Sequence, residues 1–186
     1  MARVKKQPPM SKDSLLPMLA GHVLAHGLGQ ASLRPLAKAA GTSDRMLLYH
    51  FGTKEALIAD LLAFLAKAYA GALDAAMGSE RAHTRAEVIA RILAQGSAPQ
   101  MQPFMALWWE IVAGCTRGIS GYQPAAQAMM DELLGWLEGQ MPADDPDPAG
   151  GARYLLTLIE GTMMLGAIGH GDTALQGLLA GGLLPA

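Results

Sequence analysis

Five consecutive residues, Thr42, Ser43, Asp44, Arg45 and Met46, could occupy the first turn of a helix lying against nucleic-acid bases. The arginine fork can bond a guanine at two acceptors, and the aspartate can accept from a cytosine amine. Around them stand donors of another kind. Ser32, Arg34, Tyr49, His50 and Lys54 suit phosphate oxygens, which set register without reading sequence. Two of these assignments have structural alternatives. Asp44 could instead pair with Arg45 or Lys38, or sit at a helix N-terminus for the sake of the dipole. His50 could make a structural bond instead of a phosphate contact.

Other chemistries find less support. His22 and His26 are spaced i, i+4, as two metal ligands on one helix would be, but no third ligand accompanies them and the HExxH context is missing. The pair reads as structural, and neither a metal nor a cofactor is expected. Cys115, the single cysteine, has no adjacent histidine and can form no disulfide within the chain. The glycines at 166, 169 and 171 lack the Lys-Ser/Thr of a phosphate loop. With no nucleophile–base arrangement in view, the chain is not expected to be an enzyme.

These residues need elements to position them. Leu15, Leu16, Leu19, Val23 and Leu24 predict a first helix over about 12–26, with Pro17 tolerable only in its first turn. Ser32 should cap a two-turn helix carrying Leu33, Leu36, Ala37 and Ala40. Gly41 breaks it, and a third helix spans about 43–50. Thr53 caps a long fourth helix, ending near 77–78, in which Leu57, Leu61, Phe64, Leu65 and Ala68 share a face. The second and third helices must cross tightly. That requires a small residue at the contact, met by Ala37, and one tolerant of positive φ in the turn, met by Gly41. Further helices are expected over 84–95, 101–117, 124–140, 153–169 and 173–180. The proline- and acid-rich PADDPDPAGG (142–151) reads as a loop. No strand pattern persists, so the fold class is all-α, with about nine to ten helices.

The segment SLRPLAKAAGTSDRMLLYHFGTKEAL resembles the DNA-binding domain of the tetracycline-repressor-like (TetR) family of transcriptional regulators. Ser32, Arg34, Leu36-Ala37, Ala40-Gly41, Ser43, Leu47, His50-Phe51 and Lys54-Glu55-Ala56-Leu57 carry the likeness. Thr42, the Asp44-Arg45-Met46 trio and Leu48 depart from the family pattern, which leaves the scaffold intact and bears on the target sequence. The Pro-containing, basic residues 1–10 read as a flexible arm; the resemblance implies a helix-turn-helix domain over 11–53 and a helical ligand-binding and dimerisation domain over 54–186. It also implies a homodimer on a pseudo-palindromic operator in double-stranded DNA. Repression, relieved by a small, mostly apolar ligand, is the mode it suggests.

Charge and composition agree. Residues 1–55 hold eight bases and three acids, a net of +5; residues 56–186 hold six bases and thirteen acids, a net of −7. A polyanion partner therefore suits the first part alone. The chain is 51% apolar, enough for a sizeable core. No secretory signal is visible, and the apolar run 154–168 is too short to span a bilayer, so a cytoplasmic location and no membrane partner are expected. Phe64, Met101, Phe104, Met105, Trp108, Trp109, Cys115, Met130 and Met163 could line an adaptable apolar pocket, with Glu110 orienting a ligand; plain core is the alternative for each. Met130, Leu133, Leu134, Leu137, Leu155, Leu158, Thr162, Leu165 and Gly166 are candidates for a subunit interface, because 153–169 is too apolar all round for a surface helix. Two rivals stand beside this reading: a repressor that needs no ligand, and an enzyme or carrier that binds no DNA.

Overall fold

The computed structural model describes residues 10–78 and 80–184; residues 1–9, which hold Arg3, Lys5 and Lys6 of the expected basic arm, lie outside it. Among the described residues the secondary structure is helical throughout, with nine α-helices: α1 (Lys12–His26), α2 (Leu33–Ala39), α3 (Asp44–Phe51), α4 (Lys54–Met77), α5 (Arg85–Gly96), α6 (Gln102–Thr116), α7 (Tyr122–Gln140), α8 (Pro148–Ala167) and α9 (Gly171–Ala180). Single 3-10 turns occupy Leu28–Gln30 and Pro99–Met101.

Three expectations are corrected. Pro17 is not in the first turn of α1. A reciprocal pair of bonds between Ser11 and Ser14 starts the helix at Lys12, so the proline falls in the second turn, where it withholds one backbone donor. The stretch 142–151 is not all loop, because α8 begins at Pro148. Asp147 accepts from the amide of Gly150 at 2.9 Å, and a proline at the first helical position gives up a donor that would have no partner there anyway. Among the described residues the helix long and apolar enough to bear on a membrane is α4, not the run 154–168; an 18-residue window of it reaches a mean hydropathy of 1.7. Length and composition alone would let α4 cross a membrane, but Leu57, Leu61, Leu62, Leu65, Ala66, Ala70 and Leu73 are buried within the protein.

The chain forms two compact units, and neither is continuous in sequence. The first comprises the described residues of 1–65 and 103–126; the second comprises those of 66–102 and 127–186. The first unit thus extends beyond residue 53, the expected end of the helix-turn-helix domain, to include the first half of α4 and all but the start of α6. Within it α1 packs on α2 and α2 on α3, and Leu15, Leu19, Val23, Leu36, Leu47 and Phe51 are buried. Lys12 ties the start of α1 to α4 through Asp60 at 2.7 Å, with its ammonium 5.2 Å from the centre of the Phe51 ring.

The second unit has its own apolar core of Val88, Ile89, Ile92, Leu137, Met141, Ala152, Leu155, Ile159, Leu178 and Leu183. Arg85, at the start of α5, holds the chain leading into α8. Its guanidinium bonds both oxygens of Asp145 at 2.7 Å and the carbonyl of Asp147 at 3.0 Å. That fork-on-carboxylate bond, with the amide of Asp147 donating as well, holds the Asp145 carboxyl down at about 2.

Candidate nucleic-acid interface

The turn between α2 and α3 has a complete backbone hydrogen-bond pattern. The amide of Gly41 donates to the carbonyl of Lys38 at 3.2 Å, and that of Thr42 to the carbonyl of Ala37 at 2.9 Å. This is the Schellman ending, and it needs a left-handed residue, which Gly41 supplies at φ 61°. Ala37 is 3% exposed, as a small residue at a tight helix contact should be. Ser43 then starts α3, its hydroxyl oxygen accepting from the amide of Met46 at 3.3 Å. Two polar caps back to back thus fix where α2 stops and where α3 begins.

The first turn of α3 faces outward. Ser43, Asp44, Arg45 and Met46 are exposed and Thr42 is half-buried, while Leu47 and Phe51 anchor the opposite face. Among the described residues no ion pair joins Asp44 to Arg45 or to Lys38, so both charged groups on the helix stand free for an outside partner. Tyr49 is 78% exposed. Arg34 and Lys54 are exposed, as is Ser32, which takes the N-cap place of α2 without making a side-chain capping bond. Thr53 supplies the cap of α4 as expected, accepting from the amide of Ala56 at 3.0 Å. His50 is the exception. Its Nε2 is buried without a partner, and its ring meets Tyr49 edge-on at 5.2 Å. Leu48, an exposed apolar group on the same helix, is not among the expected contacts; a leucine carries no hydrogen-bonding signal by which to single it out.

The other expected sites divide. The His22 and His26 rings lie with centres 4.6 Å apart and planes tilted by 42°, and no group of three metal-ligating side chains occurs among the described residues. Of the expected pocket residues, Phe64, Phe104, Met105, Trp108, Trp109, Glu110 and Cys115 belong to the first unit, and Met101, Met130 and Met163 to the second. Met101 is buried, and Met163 packs against the second unit's core. The Glu110 carboxylate accepts from the backbone amide of Leu28 at 2.7 Å. In the second unit, α4 and α7 border a groove of about 460 Å³ lined by Lys67, Ala70, Gly71, Asp74, Asp131, Glu132, Gly135 and Trp136, none of them an expected pocket residue.

Of the expected interface residues, Leu137 and Leu155 are corrected, since both are fully buried in the second unit's core; Leu134 and Leu158 pack against it. Met130, Leu133, Thr162 and Leu165 are half-buried and Gly166 is exposed. Among the described residues of the second unit, the large apolar groups that do reach the surface are Tyr154, Met164 and Ile168 on and just after α8, and Leu175 on α9. Sequence periodicity misses these because 153–169 is apolar on every face, so no stripe separates inside from outside.

Residues 22–61 match the model of the bacterial regulatory proteins of the tetR family. The HTH-type transcriptional regulator BetI of Pseudomonas aeruginosa is 30% identical over 182 residues, covering 90% of this chain and 86% of that one. The chain belongs to the TetR family. It is a DNA-binding transcriptional regulator of the helix-turn-helix type. Solved structures share the architecture. A transcriptional regulator from Rhodococcus sp. Rha1 superposes with a TM-score of 0.62 at 20% identity, over 89% of this chain and 87% of that one. The multidrug-binding protein EbrR, complexed with proflavin, gives 0.65 at 17% identity, over 91% and 98%.

Proposed function

We propose that this TetR-family regulator is a homodimeric repressor whose α2 and α3 bind a pseudo-palindromic operator, with Thr42 to Met46 at the bases and Ser32, Arg34, Tyr49 and Lys54 at phosphates. The supporting observation is the unpaired, outward-facing Asp44–Arg45 pair on a capped helix anchored by Leu47 and Phe51. His50 serves through its ring packing or its Nδ1, since its Nε2 is enclosed. The exposed apolar residues Tyr154, Met164, Ile168 and Leu175 offer a face for a second copy.

Release by a small, mostly apolar molecule is the second half of the proposal. A solved structural relative, EbrR, is a multidrug-binding protein complexed with proflavin. A ligand acts only by favouring one separation of the two DNA-binding heads over another. One observation favours the rival of a ligand-independent repressor: Glu110, the expected ligand-orienting group, is engaged by a backbone amide. Selection of bound fragments from genomic DNA tests the core of the proposal. Enrichment of a two-fold-related sequence supports it, and the half-site spacing reports the dimer geometry. Recovery of no preferred sequence, with no salt dependence of binding, would sink it.

A further inference from the structure

We infer that Glu110 is a positioning residue for operator binding: from α6 it holds the turn between α1 and α2 in the shape that sets the pose of the helix-turn-helix. The inference rests on the DNA-binding reading of α2 and α3. The carboxylate spans 82 residues of sequence to accept from the amide of Leu28 at 2.7 Å. That amide lies just past the end of α1, where the preceding amide, Gly27, has already bonded the carbonyl of Val23 at 2.8 Å. The Leu28 side chain is buried, and its amide is partly shielded from water. Without Glu110 this donor would lose its partner in a place where water replaces it poorly.

The chain around Gly27 is shaped to admit the carboxylate. Gly27 has φ 79°, and a Cβ built there would collide with the oxygens of Glu110. On the same helix as Glu110, Gly114 lies so close to the Tyr122 ring that a Cβ would strike it. α6 is therefore held by one close approach while it holds the turn by another. The operator-facing residues come directly after this turn. Ser32 and Arg34 stand four and six residues beyond Leu28, and α2 has no side-chain cap of its own to fix where it begins. The turn must do so. A loosened turn would let Ser32 and Arg34 drift relative to α3, on which α2 packs. An operator needs both helices in one arrangement, so the loss falls on specific binding.

Three variants of the full-length protein test this on an operator obtained by genomic selection. Glu110→Ala removes the acceptor, Glu110→Asp shortens its reach, and Glu110→Gln keeps an acceptor oxygen at full reach. Ala and Asp should each weaken operator binding roughly tenfold. Binding to random DNA and the salt slope should not change, because Glu110 is assigned no phosphate. Gln should restore operator affinity to within about threefold of wild type, its neutral acceptor being weaker than a carboxylate. Hydrogen exchange at the Leu28 amide should accelerate in the Ala and Asp variants and stay near wild type in Gln. Should the Ala variant not fold, Asp and Gln decide alone. Wild-type operator affinity in the Asp variant, or a Gln variant as weak as Asp, overturns the positioning role. A wild-type protein that selects no operator overturns it too, but through the DNA-binding reading; exchange at Leu28 would still show whether the clamp exists.

Discussion

Arg45 and Lys54 are both exposed, yet they should fail differently when removed. Arg45→Ala should lower preference for the operator over random DNA by about 1–3 kcal/mol for each half-site, as expected for one arginine–guanine contact per subunit. Competition between the two DNAs measures it, and unchanged discrimination would take Arg45 out of base reading. Lys54→Ala should weaken binding to every sequence and reduce the slope of log affinity against log salt by roughly 1.8, about 0.9 for each of the two subunits on the operator. A titration across salt concentrations in which the slope keeps its wild-type value would contradict a phosphate role. The outward position of these two residues is legible in the sequence because its signal is local: residue type plus a few positions of helical spacing. Glu110 is not. Its partner is 82 residues away and is a backbone amide, which no residue type advertises. His50 is half legible, since its place in the chain suggests both of its possible roles but not the enclosure of its Nε2.

At the scale of elements, caps and turns carry most of the legible information. Ser43, Thr53 and Thr84 each accept from an amide three residues on, and α3, α4 and α5 begin where those side chains place them. The start of α8 escapes the sequence because prolines and glycines signal a loop unless a capping aspartate precedes them, and Asp147 does. The staple beside it predicts an acid response. Asp145 titrates at about 2 in the folded protein, below the ~3.9 of an unperturbed aspartate. The unfolded chain therefore takes up this proton first as pH falls. The stabilisation from Asp145 is complete above about pH 4 and is lost between about 4 and 2. Asp145→Asn should lower the denaturation midpoint at neutral pH and flatten the decline across that acid window. A variant whose acid decline matches wild type would show that other carboxylates govern it.

The proposed dimer belongs to the molecule as a whole, and its test is direct. Ile168 is 66% exposed beside α8, and Met164, one turn earlier, is 50% exposed. Ile168→Asp should shift sedimentation at micromolar concentration from dimer to monomer while far-ultraviolet circular dichroism stays unchanged. Wild-type protein that sediments only as monomer would remove the dimer. The all-helical architecture is legible at this scale because helical periodicity and glycine breaks recur along most of the chain. The division into units is not, since sequence order suggests one cut near residue 53, whereas packing joins 1–65 with 103–126. That discontinuity governs how the regulator can be re-engineered. A chimaera that grafts residues 1–53 onto a foreign sensor would carry α1 to α3 but leave behind Asp60, the partner of Lys12, and Glu110, the partner of Leu28. A transplantable reading head must be cut from two stretches of the gene, and a recipient that supplies no equivalent of α6 should receive a head that folds loosely and discriminates poorly.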